Sequence, residues 1–165
     1  MNSIHKGSRS IDSNPGFLGL LFVGLLLAGV VAWYAGGAIR TARAAGPTKS
    51  AQDGVYTVEQ ATQGKTDYGE ACGGCHMDDL SGSGQAPPLA GDGFSQFWDG
   101  RTVYDLYEVT RSTMPQDKPD SMSTEAYLDM VAYMLQANNY PPGKEQLKDD
   151  PEALKNIVIG KKSSQ

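Results

Sequence analysis

With 165 residues, 39% of them hydrophobic, and a formal net charge of −5, the chain has room for one compact domain and an appendage. The charge is unevenly placed, net +3 over residues 1–44 and net −8 over residues 45–165. So acidic a region is a poor ligand for nucleic acid and suits a partner with a basic docking patch.

Residues 1–16 are polar, with a few positive charges and no apolar period, and read as a cytoplasmic tail. Phe17 to Ile39 then runs for 23 residues without a charge. As a helix it would span about 35 Å, enough for the hydrocarbon core of a bilayer. Trp33 and Tyr34 stand near its far end, where interfacial aromatics belong, and Arg40 and Arg43 close it. The stretch reads as a single N-terminal transmembrane helix. A cleaved secretory leader is the rival, because Ala42-Arg43-Ala44 has the A-x-A form. The apolar run, however, exceeds the roughly 7–15 residues of a leader's core, and an arginine inside the motif disfavours processing. Ala28, Ala32 and Gly36 share one face with the small-residue spacing that packs membrane helices together. Residues 40–54 are small and polar and read as a tether.

A domain is expected over residues 55–140. Thr57, with Gln60 three positions later, has the form of a capping box and predicts a helix to about Ala71. Gly64 and Tyr68 lie on one face of it. The helix runs into Cys72-Gly73-Gly74-Cys75-His76, the attachment signature of a covalently bound c-type haem. Two thiols at that separation can each form a thioether to a vinyl group of one porphyrin, and the adjoining imidazole becomes the proximal iron ligand. Gly73 and Gly74 keep side-chain bulk away from the macrocycle and let the backbone turn tightly. A zinc knuckle needs four ligands. The chain has two cysteines and only one other histidine, His5, in the tail. A thioredoxin-like pair would expect a βαβ pattern, and none is visible. The expected cofactor is therefore one covalent haem c. Its attachment takes place on the outer face of energy-transducing membranes, which puts the domain in the periplasm and the N-terminus inside.

Residues 80–101 are rich in glycine and proline and read as loop. Thr102 caps a second helix, Val103 to about Thr110, with Asp105 in its first turn and Leu106 and Val109 facing inward. Residues 111–122, with Pro115 and Pro119, are again loop. Ser123 caps a third helix ending near Asn138, with Glu125 at its positive end. Leu128, Val131 and Leu135 form one apolar row, and Tyr127, Met130 and Met134 the next. The extension 141–165 is charged, with Ile157-Val158-Ile159 its docking segment. No stretch alternates convincingly as a strand, so the expected fold class is all-α. Of six methionines, Met1 is in the tail, Met77 adjoins His76, and Met130 and Met134 belong to the closing helix. Met114 and Met122 remain as candidates for a second axial ligand.

From about Tyr56 to Tyr140 the chain resembles the class I monohaem c-type cytochromes. The resemblance rests on a helix leading into CxxCH, Pro87-x-Leu89, Met114-Pro115 after a short helix, and a closing helix reading Met130-Val131-Ala132-Tyr133. More narrowly, VYTVEQATQG, FWDGRTVYDLYEVTRSTMP and EAYLDMVAYMLQANNYPPG are similar to the cytochromes found beside periplasmic quinoprotein (PQQ) dehydrogenases, a likeness extending to Ile159. The resemblance implies three main helices around one haem, with Gly64 and Tyr68 crossing Met130 and Tyr133. It implies Met114 as distal ligand with Met122 as fallback, the Pro87 carbonyl accepting from the His76 ring, and Leu89 packed on the porphyrin. Trp98 and Arg101 would bind haem propionates. Met77 stands where relatives usually have glycine, which would tilt or crowd the chain.

Iron closed by His76 and Met114 offers no site for substrate. The expected function is single-electron transfer, with no catalysis by the chain itself and no small-molecule substrate. The resemblance suggests a quinoprotein dehydrogenase or quinol-oxidising complex as donor and a terminal oxidase as acceptor. The expected location is the cytoplasmic membrane, single-pass, with the haem domain facing the periplasm. Cleavage near Ala44 would instead give a soluble periplasmic form. Two other classes stay open, a fixed haem-bearing subunit of a larger membrane assembly and, if no methionine binds iron, a five-coordinate sensor or peroxidase.

Overall fold

The computed structural model describes residues 46–84 and 86–160. The polar tail, the stretch 17–39 expected to cross a membrane and the expected tether as far as residue 45 lie outside the described residues. Among the described residues no helix is long and apolar enough to cross a membrane.

Among the described residues, six helices and two short strands follow in order: β1 (Lys49–Ser50), a 3-10 turn (Ala51–Asp53), α1 (Val58–Ala71), α2 (Gly73–His76), α3 (Asp92–Trp98), α4 (Val103–Thr113), α5 (Thr124–Ala137), α6 (Pro151–Lys155) and β2 (Ile157–Val158). The helix starts are chemical. Thr57 accepts from the Gln60 N–H, Thr102 from the Asp105 N–H and Ser123 from the Ala126 N–H, each satisfying an otherwise orphaned donor. At Thr102 the box is closed, since Asp105 also accepts from the Thr102 N–H. At Thr57 the reciprocal half goes elsewhere. The Gln60 side chain donates to the Leu147 carbonyl and accepts from its N–H, tying α1 to the C-terminal extension.

The core is built on the crossing of α1 and α5. A Cβ at Gly64 would stand 1.8 Å from the Asp129 carbonyl oxygen, so the backbones touch where a side chain cannot fit. Tyr68 and Tyr133 meet beside this point with ring centroids 5.4 Å apart. Tyr127, Leu128, Met130, Val131, Met134 and Leu135 are all buried, as both predicted apolar rows require.

Three expectations are corrected. Residues 80–101 are not loop throughout, because α3 forms where Phe94 and Trp98, one turn apart, bury their rings in the core. α4 runs to Thr113, and Val109 faces solvent at 39% exposure, while Tyr107 is buried beside Leu106. Ile157-Val158-Ile159 docks as expected and is buried, but the expectation of no strand fails: Ile157–Val158 form β2, parallel to β1, with Lys49 opposite Ile157 and Ser50 opposite Val158. Residues 49–53, read in the sequence as tether, thus pack on the domain. The fold is otherwise helical.

Candidate haem site

Cys72 ends α1, its N–H bonded to the Tyr68 carbonyl at 2.8 Å. Its own carbonyl accepts from Cys75 and His76 at 3.1 and 2.9 Å, so the CxxCH stretch is wound into one helical turn. Cys75 is exposed, and Cys72 is half-buried with its sulfur 3.6 Å from the Met130 sulfur. Both cysteines are free rather than disulfide-bonded.

His76 is only 6% exposed, and its Nδ1 lies 2.8 Å from the Pro87 carbonyl oxygen. A carbonyl can only accept, so Nδ1 carries a proton, and in the neutral ring Nε2 keeps the lone pair. This is the tautomer an iron ligand needs, fixed by the group that orients the ring. A short hairpin brings Pro87 there. Ser83 and Ala86 pair, Gly82 donates to the His76 carbonyl at 3.0 Å, and the Ser83 hydroxyl holds the Cys75 carbonyl at 2.8 Å. Gly82, at φ +74, would place a Cβ 2.5 Å from the Ala86 oxygen. Glycine is required at that turn.

The glycines inside the motif differ from each other. A Cβ at Gly73 would meet the Asp78 carboxylate at 2.9 Å, whereas nothing lies within 4 Å at Gly74. Met77 adopts φ 63, ψ 151, a region that side-chain-bearing residues rarely occupy. The conformation is held by the Tyr68 hydroxyl, which donates to the Met77 carbonyl at 2.7 Å. Burial, reinforced by the Cys72 sulfur, raises Tyr68 well above the ordinary phenol range, so it stays a donor.

Leu89 is half-buried against the core, with its N–H on the Leu80 carbonyl at 2.8 Å. Asn138, the cap residue of α5, donates to the Leu89 carbonyl at 2.9 Å and accepts from the Gly91 N–H. Trp98 is buried, and the Arg101 guanidinium lies 4.5 Å from its ring centroid. Met114 follows α4 directly and is half-buried, and its bond to Pro115 is cis. Its N–H reaches Thr110 at 3.0 Å, and its carbonyl accepts from the Tyr127 hydroxyl at 2.8 Å. Met122 packs half-buried on the core.

The structure thus joins Cys72, Cys75, His76, Pro87 and Leu89 in one continuous turn-and-hairpin unit, and pairs Trp98 with Arg101. Tyr68, Asn138 and Ser83 support these residues and Tyr127 supports Met114, through hydrogen bonds that no local sequence pattern signals. Asn138 was visible only as a helix end. The set fits a haem: two unlinked thiols one turn apart, and an imidazole whose proton is committed away from the metal side. Among the described residues no group of three or more His, Cys, Asp and Glu converges as an ordinary metal site.

Residues 59–134 match the family described as cytochrome c oxidase, cbb3-type, subunit III, somewhat under half of the chain. No curated protein matches. Among solved structures, the crystal structure of the sulfane dehydrogenase SoxCD from Paracoccus pantotrophus aligns at 20% identity and a TM-score of 0.42. That alignment covers 59% of this chain and about half, 52%, of that one. The family match and the CxxCH geometry support a c-type cytochrome domain and imply covalently bound haem c. Its helices fit the class I cytochrome fold.

Proposed function

We propose that the protein is a membrane-anchored monohaem cytochrome. It carries single electrons on the periplasmic side, from a dehydrogenase or quinol-oxidising complex to an acceptor such as an oxidase. The observation that supports this best is the His76–Pro87 bond, which leaves Nε2 as the only imidazole nitrogen able to bind iron. When bound, the haem supplies one-electron chemistry at a potential raised by a thioether ligand. The residues attach and orient it. Cys72 and Cys75 would form the thioethers, and His76 and Met114 would ligate the iron. Leu89 would pack on the ring and keep water from it. Anchoring rests on Phe17–Ile39, and the donor and acceptor classes rest on the resemblance to cytochromes of quinoprotein dehydrogenases. The excess of acidic residues favours partners with basic docking patches.

The matched family's description names an oxidase subunit, and this favours a second reading in which the domain is a fixed member of a membrane assembly. Purification in mild detergent separates the two, since a shuttle comes away alone and a subunit brings its neighbours. The ligand assignment is tested by Met114→Ala. The expected result is a high-spin spectrum with ready carbon monoxide binding, while Met122→Ala stays low-spin. A low-spin Met114→Ala protein would refute the assignment of Met114.

A further inference from the structure

The main chain that leaves His76 comes back to its ring. It reverses at Met77, whose carbonyl accepts from the Leu80 N–H at 3.0 Å, and Gly82 then donates to the His76 carbonyl at 3.0 Å. Ser83 and Ala86 close the hairpin, and the Pro87 carbonyl arrives 2.8 Å from His76 Nδ1. Leu89 seals the return by donating to the Leu80 carbonyl at 2.8 Å. The direction taken at residue 77 therefore decides where the acceptor for the imidazole proton lands.

At that residue the backbone has φ 63 and ψ 151, which a side-chain-bearing residue adopts only when its surroundings impose it. The imposing group lies one helix back. Tyr68, buried in α1, donates its hydroxyl to the Met77 carbonyl at 2.7 Å. Its ring packs on Tyr133 of α5, with centroids 5.4 Å apart, so the donor is anchored in the helix crossing rather than in the hairpin. Glycine at this position would take the conformation unaided, whereas methionine needs the hold.

From this we infer that Tyr68 is a positioning residue for the proximal ligand, acting through Met77 to set the hairpin that keeps the Pro87 carbonyl on His76 Nδ1. The inference rests on the haem-carrier reading above. An acceptor on the Nδ1 proton makes the imidazole a stronger donor to iron. Stronger donation favours the oxidised metal, so a loosened bond raises the reduction potential.

The test measures two properties of the purified holoprotein, its reduction potential and, by NMR, the exchange of the His76 Nδ1 proton with solvent. Tyr68→Phe removes the hydroxyl and keeps the ring. It raises the potential and speeds the exchange about three- to tenfold, the weight of one ordinary hydrogen bond. Tyr133→Phe removes the neighbouring phenol oxygen without touching Met77, and it changes neither property. Met77→Gly makes the hold unnecessary, so Tyr68→Phe added to it shifts neither property. A Tyr68→Phe protein that melts lower but keeps both readings would make Tyr68 a packing residue and overturn the inference. Equal shifts from Tyr133→Phe, or from Tyr68→Phe in the Met77→Gly background, overturn it as well, since the hydroxyl would then not act through Met77. If Tyr68→Phe alone does not fold, the double variant decides. Recovery of the fold and of the unsubstituted potential supports the inference, and a double variant that is also unfolded overturns it. Haem missing from the mass of the unsubstituted chain would overturn the carrier reading instead, and that is seen before any variant is made.

Discussion

Met77 is the residue at which sequence and backbone disagree. Its φ of 63 and ψ of 151 belong to a region that is essentially glycine's own, and occupying it costs about 1–3 kcal/mol. The side chain is 36% exposed and recovers little of this by burial. Glycine there would release the strain, less the ~0.5–1 kcal/mol that its freer unfolded chain costs. Met77→Gly should therefore stabilise the fold by about 1 kcal/mol. The measurement is thermal melting of the holoprotein. Met77→Ala is the control, because a Cβ keeps the clash and brings no gain. The strain itself was not legible beforehand, since φ is set by the Tyr68 hydroxyl and the hairpin rather than by the residue. The ligating residues were legible, because CxxCH packs its chemistry into five consecutive positions.

At the scale of elements, α1 carries a matched pair of glycines. Gly64 touches the α5 backbone, with a would-be Cβ 1.8 Å from the Asp129 oxygen, whereas Gly69 has nothing within 4 Å. Gly64→Ala must push the helices apart and should cost about 3 kcal/mol or more. Gly69→Ala should instead stabilise by roughly 0.5–1 kcal/mol through helix propensity alone. Denaturant melts of both variants check the pair, and equal effects would mean that the crossing is not where the structure puts it. At the same crossing Asp129 is 7% exposed, and burial raises its carboxyl above the usual range, against a hydrogen bond from Gln60 that lowers it. The nearby Asp67 and Glu125 raise it further. A raised folded-state value means that the unfolded chain loses this proton first. Asp129 therefore supports the fold fully only below the ordinary carboxyl range, and that support is lost as pH rises through the folded value. Asp129→Asn should raise the melting temperature at neutral pH, with the gain shrinking as pH falls toward ~4. The elements themselves were readable where a cap opens an apolar period, as at Thr57, Thr102 and Ser123. α3 was not, since its seven residues follow Gly91, which offers no side-chain cap, and owe their helix to the burial of Phe94 and Trp98. Val109 was placed inward by spacing alone, but Tyr107 fills that face.

For the molecule as a whole, the question is what residues 141–160 contribute, since the family match stops at residue 134. Pairing between β1 and β2 spans more than 100 positions of sequence and only two residues of strand, so no local pattern announced it. Yet the two ends of the described chain are closely joined. Thr48 donates from its N–H and its hydroxyl to Asn156 Oδ1 at 2.8 and 3.1 Å, and Lys49 donates to the Asn156 carbonyl at 3.1 Å. Gly143 donates to the Tyr56 carbonyl at 2.6 Å, and the Tyr56 hydroxyl reaches back to the Tyr140 carbonyl. Leu147, Leu154, Ile157, Val158 and Ile159 are all buried. At about 1.5–3 kcal/mol for each buried aliphatic side chain, these five together contribute roughly as much as the ~5–15 kcal/mol net stability of an ordinary domain. A chain ended after Tyr140 should therefore lose its cooperative melt, even with Cys72, Cys75, His76 and Met114 intact. A narrower test, Ile159→Ala, should cost about 2–5 kcal/mol. Calorimetry of both variants decides the matter. An unchanged melting temperature in the shortened chain would make the extension a passive tail, whereas the burial of its apolar side chains makes it part of the core.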